Sequence, residues 1–130
     1  MDAEVEVRLS QIHGMGVFAL RDFQPGETVL VWDTTHTIDD RGRENLPDEQ
    51  KSFVARHEGT WIIMQEPMRY VNHSCEANTR PESGKDIATQ YIRKGEEITS
   101  DYRSEMMKGE SMDCSCGSKL CKGYIVGTAL

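Results

Sequence analysis

Four cysteines constrain this chain more than any other feature. Three lie close together in Cys114-Ser115-Cys116 and Cys121, a C-x-C-x4-C phrase, and the fourth, Cys75, lies far upstream. A tetrahedral zinc site needs four nitrogen or sulfur ligands at roughly 2.0–2.3 Å. Three thiolates from one short loop cover one side of such an ion, and Gly117 lets the loop bend around it. The fourth ligand must come from elsewhere. A histidine could serve, but Cys75 completes the set with no cysteine left over. An all-cysteine site would tie residue 75 to the C-terminal segment. It would be structural, because four thiolates leave no open position. The alternatives are four unrelated reduced thiols, or a redox dithiol, although no C-x-x-C is present.

The thiols are expected to stay reduced. The N-terminus, MDAEVEVRLS, is acidic and alternating and lacks the basic-then-apolar pattern of a signal peptide. No apolar run approaches the ~18 residues of a membrane span. The expected location is intracellular, cytoplasmic or nuclear, with no membrane partner. At 130 residues, 37% hydrophobic and 28% charged, the chain suits one soluble domain. Its net charge of −7 argues against direct nucleic-acid binding, which needs a basic face for the phosphates. The same charge permits a basic protein or peptide partner, or merely keeps the surface solvated.

Period-2 alternation predicts strands over 4–9 (EVEVRL), 17–20 (VFAL) and 28–32 (TVLVW). A turn at His13-Gly14-Met15-Gly16 joins the first two, and Gln24-Pro25-Gly26-Glu27 joins the next pair. The polar stretch 33–45 reads as loop. Residues 47–58 read as a short helix, started by Pro47, Asp48 and Glu49 and stopped at Gly59. Strands are expected at 60–64 and 87–92, and a further one begins at Ile98-Thr99. The phrases FQPGETV at 23–29 and IRKGEEI at 92–98 read as one turn solution used twice. The tail 105–119 is polar and reads as irregular.

Residues 72–78, NHSCEAN, put polar groups at a density that is expensive to bury and odd to leave on a surface. In chain order the notable phrases are GMGVFA at 14–19, RYVNHSCEAN at 69–78, GEEITSDY at 95–102 and CSCGSKLCKGYI at 114–125. This order and wording resemble the SET-domain protein-lysine N-methyltransferases with their cysteine-rich post-SET tail. The resemblance covers roughly residues 5–125. It implies a mainly β SET fold of small sheets of short strands, with a C-terminal pseudoknot in which 95–102 threads beside 72–78. Residues 5–104 would be the SET domain and 110–126 the post-SET zinc-binding segment.

The resemblance also implies the site. S-adenosyl-L-methionine would be the cofactor and one structural zinc the metal, held by Cys75, Cys114, Cys116 and Cys121. The Asn72 side chain and the His73 backbone would hold adenine; an amide offers both a donor and an acceptor to that base edge. Backbone groups of His13, Gly14 and Met15 would contact the methionine end. Arg69, Tyr70 and Ser115 match positions beside the cofactor. Read alone, His73 is equally a buried core histidine or a metal ligand, and the Gly14 turn a plain hairpin.

Tyr102 matches the family's catalytic tyrosine; read alone, it is a core aromatic at a strand end. Methyl transfer from a sulfonium needs in-line attack by a neutral amine, and orientation supplies much of the rate. A lysine has a solution pKa of about 10.4 and must first lose a proton, which a nearby sulfonium and an apolar channel both favour. A tyrosine hydroxyl can orient that amine. Ser100 stands where the family usually has Phe or Tyr, a product-multiplicity position. Its small side chain leaves room for a methylated lysine or a water and leans the product towards di- or trimethylation. Arg103 and Lys122 are further departures, and the insert at 33–68 is short. The expected partner is a protein or peptide with an accessible lysine in a basic segment, such as a histone tail. The alternative is a weak or inactive SET scaffold that binds peptides.

Overall fold

The computed structural model describes residues 4–130. Its strands are β1 (Val5–Leu9), β2 (Met15–Ala19), β3 (Thr28–Val31), β4 (Thr37–Ile38), β5 (Val54–His57), β6 (Thr60–Ile63), β7 (Asn72–His73), β8 (Thr79–Glu82), β9 (Lys85–Ala88), β10 (Glu97–Ser100), β11 (Ser111–Asp113) and β12 (Tyr124–Val126). Two short helices, α1 (Asp40–Glu44) and α2 (Asp48–Lys51), join β4 to β5. The sheets have strand orders β1-β2-β10-β7, β3-β9-β8, β4-β6-β5 and β11-β12. Among the described residues, no helix is long and apolar enough to cross a membrane.

The core lies where the sheets meet. Val17, Phe23, Ile62, Ala88, Ile92 and Ile98 are almost fully buried in one cluster. Each large apolar side chain removed from water there contributes roughly 1.5–3 kcal/mol. The two similar phrases of the sequence meet at its centre. Phe23 and Ile92 exchange backbone hydrogen bonds of 2.8 and 2.9 Å. The Gly26 N–H donates to Ala88 O and the Gly95 N–H to Ala19 O, both at 2.8 Å. The Ala19 N–H donates to Glu96 O and the Ala88 N–H to Glu27 O, both at 2.9 Å. The repeated phrase is thus a pair of reciprocal turns, each closing on the strand that leads into the other. Gly26 and Gly95 have φ of +90° and +93°, which only glycine adopts without strain.

The resemblance implies that 95–102 lies beside 72–78, and it does. β10 and β7 pair in parallel, with Thr99 opposite Asn72 and Ser100 opposite His73. Asn78 reinforces the junction from the same segment. Its Nδ2 donates to Glu97 O at 2.9 Å, and its Oδ1 accepts the Thr99 N–H at 2.9 Å.

Four local expectations are corrected. Within 33–45 stand β4 and α1, the helix capped by the Asp39 carboxylate, which accepts the Gly42 N–H at 2.7 Å. The helix expected over 47–58 stops after one turn, and 54–57 is β5. Glu58 and Gly59, with φ of +49° and +78°, close a hairpin that sets Ala55 opposite Ile62 and Arg56 opposite Trp61. Pairing with a buried strand outweighs weak helical propensity there. The strand expected over 87–92 ends at Ala88 and pairs with β8, which the sequence reading missed. The tail is ordered too: β11 pairs with β12, and the following residues dock on the 3-10 turn Tyr102–Glu105, with the Thr128 N–H donating to Arg103 O at 2.8 Å.

Candidate active site

The first loop, residues 10–14, leads into β2 and carries His13 and Gly14, both exposed. It is held from two sides. The Ser10 hydroxyl donates to the Glu97 carboxylate at 2.7 and 2.9 Å. The Asn72 Nδ2 donates to His13 O at 3.1 Å, Met15 O at 3.0 Å and Glu97 Oε2 at 2.9 Å. Three acceptors around one nitrogen fix the orientation of this amide. Its nitrogen is therefore engaged within the protein, where it holds the first loop against β10. Gly16 makes room for the arrangement, since a Cβ there would lie 2.5 Å from Glu97 Oε2 and 2.9 Å from the Ser10 Cβ.

His73 is buried and joins two other parts of the site. Its Nδ1 accepts the Tyr102 N–H at 3.0 Å, so the ring proton stands on Nε2, 3.5 Å from the Cys75 sulfur. Burial lowers its pKa, with Arg103 acting the same way and Asp101 against, so the ring is neutral. The Tyr102 hydroxyl donates to Val71 O. Burial and the negative charges of Glu105, Asp86 and Glu97 raise the phenol pKa well above its ordinary value.

The Sγ atoms of Cys75, Cys114, Cys116 and Cys121 all lie within 4.8 Å of one another. A tetrahedron with bonds of about 2.3 Å has edges near 3.8 Å, so four partly buried thiols at this spacing fit one ion, and the soft all-sulfur set suits zinc. The surroundings favour thiolate at Cys116, whereas burial raises the thiols of Cys75 and Cys114. Burial pushes Cys116 up, but N–H groups of Cys75 and Ser118 outweigh it and bring the thiol to about 6. The Cys75 N–H reaches Cys116 Sγ at 3.5 Å and the Gly123 N–H reaches Cys121 Sγ at 3.3 Å. The Ser115 hydroxyl donates to Ile12 O at 3.3 Å, bringing the tail onto the first loop.

These parts surround one cavity of about 840 Å³. His13, Gly14, Met15, Asn72, His73 and Ser115 line one region of it. Phe53, Met64, Met68 and Tyr70 give it apolar walls. Arg69 lies over the rings of Tyr70 and Phe53 at 5.0 and 5.3 Å, and its guanidinium donates to Glu66 Oε1 at 2.8 Å and the Tyr70 hydroxyl at 3.0 Å. Tyr102 and Ser100 line the cavity deeper in, with Trp32, Asp86 and Glu105. Sequence reasoning missed Glu97, Asp86 and Glu105. Glu97 stood in a quoted phrase, and its partners come from remote segments. Asp86 carried one signal, a carboxylate next to Ile87 at the start of an apolar run.

A β-rich fold built around a ligand-sized cavity, with a three-cysteine tail brought against the upstream Cys75, defines the class of domain. The chain belongs to the SET-domain family, whose model matches residues 14–103. It is 30% identical over 133 residues to histone-lysine N-methyltransferase set-2 of Caenorhabditis elegans, covering 89% of this chain and 9% of that protein. It is 37% identical over 143 residues to an H3 lysine-36 specific histone-lysine N-methyltransferase of Yarrowia lipolytica, covering 96% of this chain and 18% of that protein. The chain thus spans less than a fifth of the length of either relative. The fold is also that of a Plasmodium falciparum protein described as a histone methyltransferase, with a TM-score of 0.64 at 20% identity over 78% of this chain and 95% of that one.

Proposed function

We propose that the chain is an S-adenosyl-L-methionine-dependent protein-lysine N-methyltransferase acting on a lysine in a basic protein segment, such as a histone tail. Residues 5–104 form its SET domain and 110–126 its post-SET segment. The observation that carries this reading is the convergence of the first loop, the 72–75 segment, Tyr102 and the cysteine tail on one cavity. Two relatives named as histone-lysine N-methyltransferases match along most of the chain, which supports the reaction and a nuclear location.

The residues present fit the cofactor: a cavity of about 840 Å³ accommodates it beside an acceptor side chain, with apolar walls and polar groups at the first loop. S-adenosylmethionine supplies an electrophilic methyl group when bound. The chain's own residues do the rest. Asn72 and Glu97 hold the loop that would contact the cofactor, and His73 and Ser115 tie that region to the zinc tail. Tyr102, its hydroxyl anchored on Val71 O, would orient the acceptor amine. Its raised pKa keeps it a neutral phenol whose one proton is directed at Val71 O, so its oxygen is left to orient the amine as an acceptor rather than to act as a base. Ser100 leaves space beside it for a methylated amine. Cys75, Cys114, Cys116 and Cys121 would hold zinc as a structural ion.

Incorporation of labelled methyl into histones and total cell extract tests the reading, with Tyr102→Phe alongside. A labelled protein that needs the Tyr102 hydroxyl supports it. Absence of label, with cofactor binding shown by calorimetry, would instead make the chain a binding module.

A further inference from the structure

The inner end of the cavity holds two carboxylates that the proposed reaction does not use. Asp86, on β9, is 3% exposed, and Glu105, at the end of the 3-10 turn, is partly buried. Both line the cavity with Tyr102 and Ser100. Among the described residues, no cation pairs with either: the salt bridges of the chain lie elsewhere. Burial pushes Asp86 up to about 6 and Glu105 up to about 8, with the Asp86 charge adding to the second. A buried carboxylate without a counter-charge is among the more destabilising features a fold can carry.

Two further buried polar groups belong to residues that line the same cavity. The Ser100 hydroxyl, on a residue 3% exposed, has no hydrogen-bond partner. The Trp32 indole N–H, on a residue 7% exposed, also lacks one; it is close enough to Asp86 to lower that carboxyl's pKa but makes no well-formed hydrogen bond. Trp32 and Glu105 also line a second, smaller cavity, of about 210 Å³, together with Arg56, His57, Glu58 and Glu82. These two residues thus stand between a polar cavity of mixed charge and the space beside Tyr102.

We propose that Asp86 and Glu105, with the Ser100 hydroxyl, form an anionic receptor for the cationic head of the acceptor side chain, a primary ammonium, admitted past Trp32 and Glu105. The site rests on the lysine-methyltransferase reading for its occupant. It places charge recognition at the end of the channel in carboxylates rather than in an aromatic lining. An ammonium stripped of water would find the Asp86 carboxylate, the Glu105 carboxyl group and a hydroxyl there, and the indole face of Trp32 would flank its stem.

The test is an NMR titration of the full chain, saturated with S-adenosylhomocysteine, using butylammonium chloride and 1-butanol as charged and neutral probes of the same length. Butylammonium should shift the Trp32 indole resonance and bind at least 10-fold more tightly than butanol. Glu105→Gln and Asp86→Asn should each weaken butylammonium about 5-fold or more and leave S-adenosylhomocysteine binding unchanged. Equal binding of the two probes overturns the proposal, and this comparison needs no variant to fold. So does butylammonium binding that neither substitution changes, or a loss of affinity for S-adenosylmethionine but not for S-adenosylhomocysteine, which would assign the pair to the sulfonium. Butylammonium bound here without methyl transfer to any lysine keeps the site and removes the reaction. Methyl transfer indifferent to both substitutions keeps the reaction and removes the site.

Discussion

The backbone N–H of Tyr102 donates to Nδ1 of His73 at 3.0 Å, and the opposite nitrogen of the ring faces the Cys75 sulfur at 3.5 Å. One imidazole therefore joins the proposed catalytic tyrosine to the proposed metal centre. A ligand-supporting histidine of this kind typically affects metal affinity by 10–100-fold. Here the coupling runs both ways: what disturbs the cysteines reaches the Tyr102 backbone.

Zinc removal should therefore do more than loosen the tail. Treatment with a chelator, or Cys75→Ser, should lower the melting temperature and weaken S-adenosylhomocysteine binding. Metal analysis should give one zinc per chain before and substantially less after. If Cys75→Ser retains a full equivalent of zinc, the fourth ligand is another residue.

Tyr102→Phe removes the hydroxyl that donates to Val71 O. The carbonyl left behind should cost about 1 kcal/mol of stability. The loss of acceptor orientation should reduce methyl transfer on the order of 100-fold. Cofactor affinity measured by calorimetry should change little, because the His73 contact is to the Tyr102 backbone and survives the substitution. Unchanged turnover would refute the role given to the hydroxyl.

The frame of the molecule was legible where pattern and packing agree. Val5 and Val7 face inward from β1 while Glu6 and Arg8 face out, and the matched phrases around Phe23 and Ile92 were visible as text. Residues 54–57 were misread because Val-Ala-Arg-His has no strong preference of its own; the partner that makes them a strand, Trp61-Ile62-Ile63, lies beyond the turn. The family was legible through its wording, and the candidate site follows from that resemblance. Spacing alone reached no further than the thiols. Glu97 takes its meaning from Asn72, 25 residues away, and Asp86 and Glu105 take theirs from each other across a turn and two further segments, which no local pattern encodes.

Glu97 should prove as important to the cofactor loop as the residues that touch the ligand. Glu97→Gln replaces an acceptor by a donor facing the Asn72 nitrogen, and Gly16→Ala forces a methyl group into the same carboxylate. Each change disturbs the hydrogen bonds of the loop, a loss on the order of 1–2 kcal/mol. S-adenosylhomocysteine should bind roughly 10-fold more weakly to either variant, read by calorimetry on protein whose fold is checked by circular dichroism. Native affinity in both variants would show that this loop does not contact the cofactor.

Asp86 makes a prediction about stability, and its sign is opposite to that of most carboxylates. The ordinary value is near 3.8 and the folded value about 6, so the folded chain holds this proton more tightly than the unfolded one. Between those values the native state binds more protons, and stability falls as pH rises. The loss begins near pH 4, is complete above about pH 6, and amounts to on the order of 3 kcal/mol. Asp86→Asn keeps the shape and removes the charge. The melting temperature of this variant relative to the unsubstituted protein should therefore rise between pH 5 and pH 7.5, while other titrating groups act nearly alike in both. Glu105 changes in the same direction, since the Asp86 charge that helps raise its pKa is gone. A relative melting temperature that stays flat across this range would mean that the carboxylate is compensated in the native state, and the cavity would then have no unpaired anion to offer an incoming ammonium.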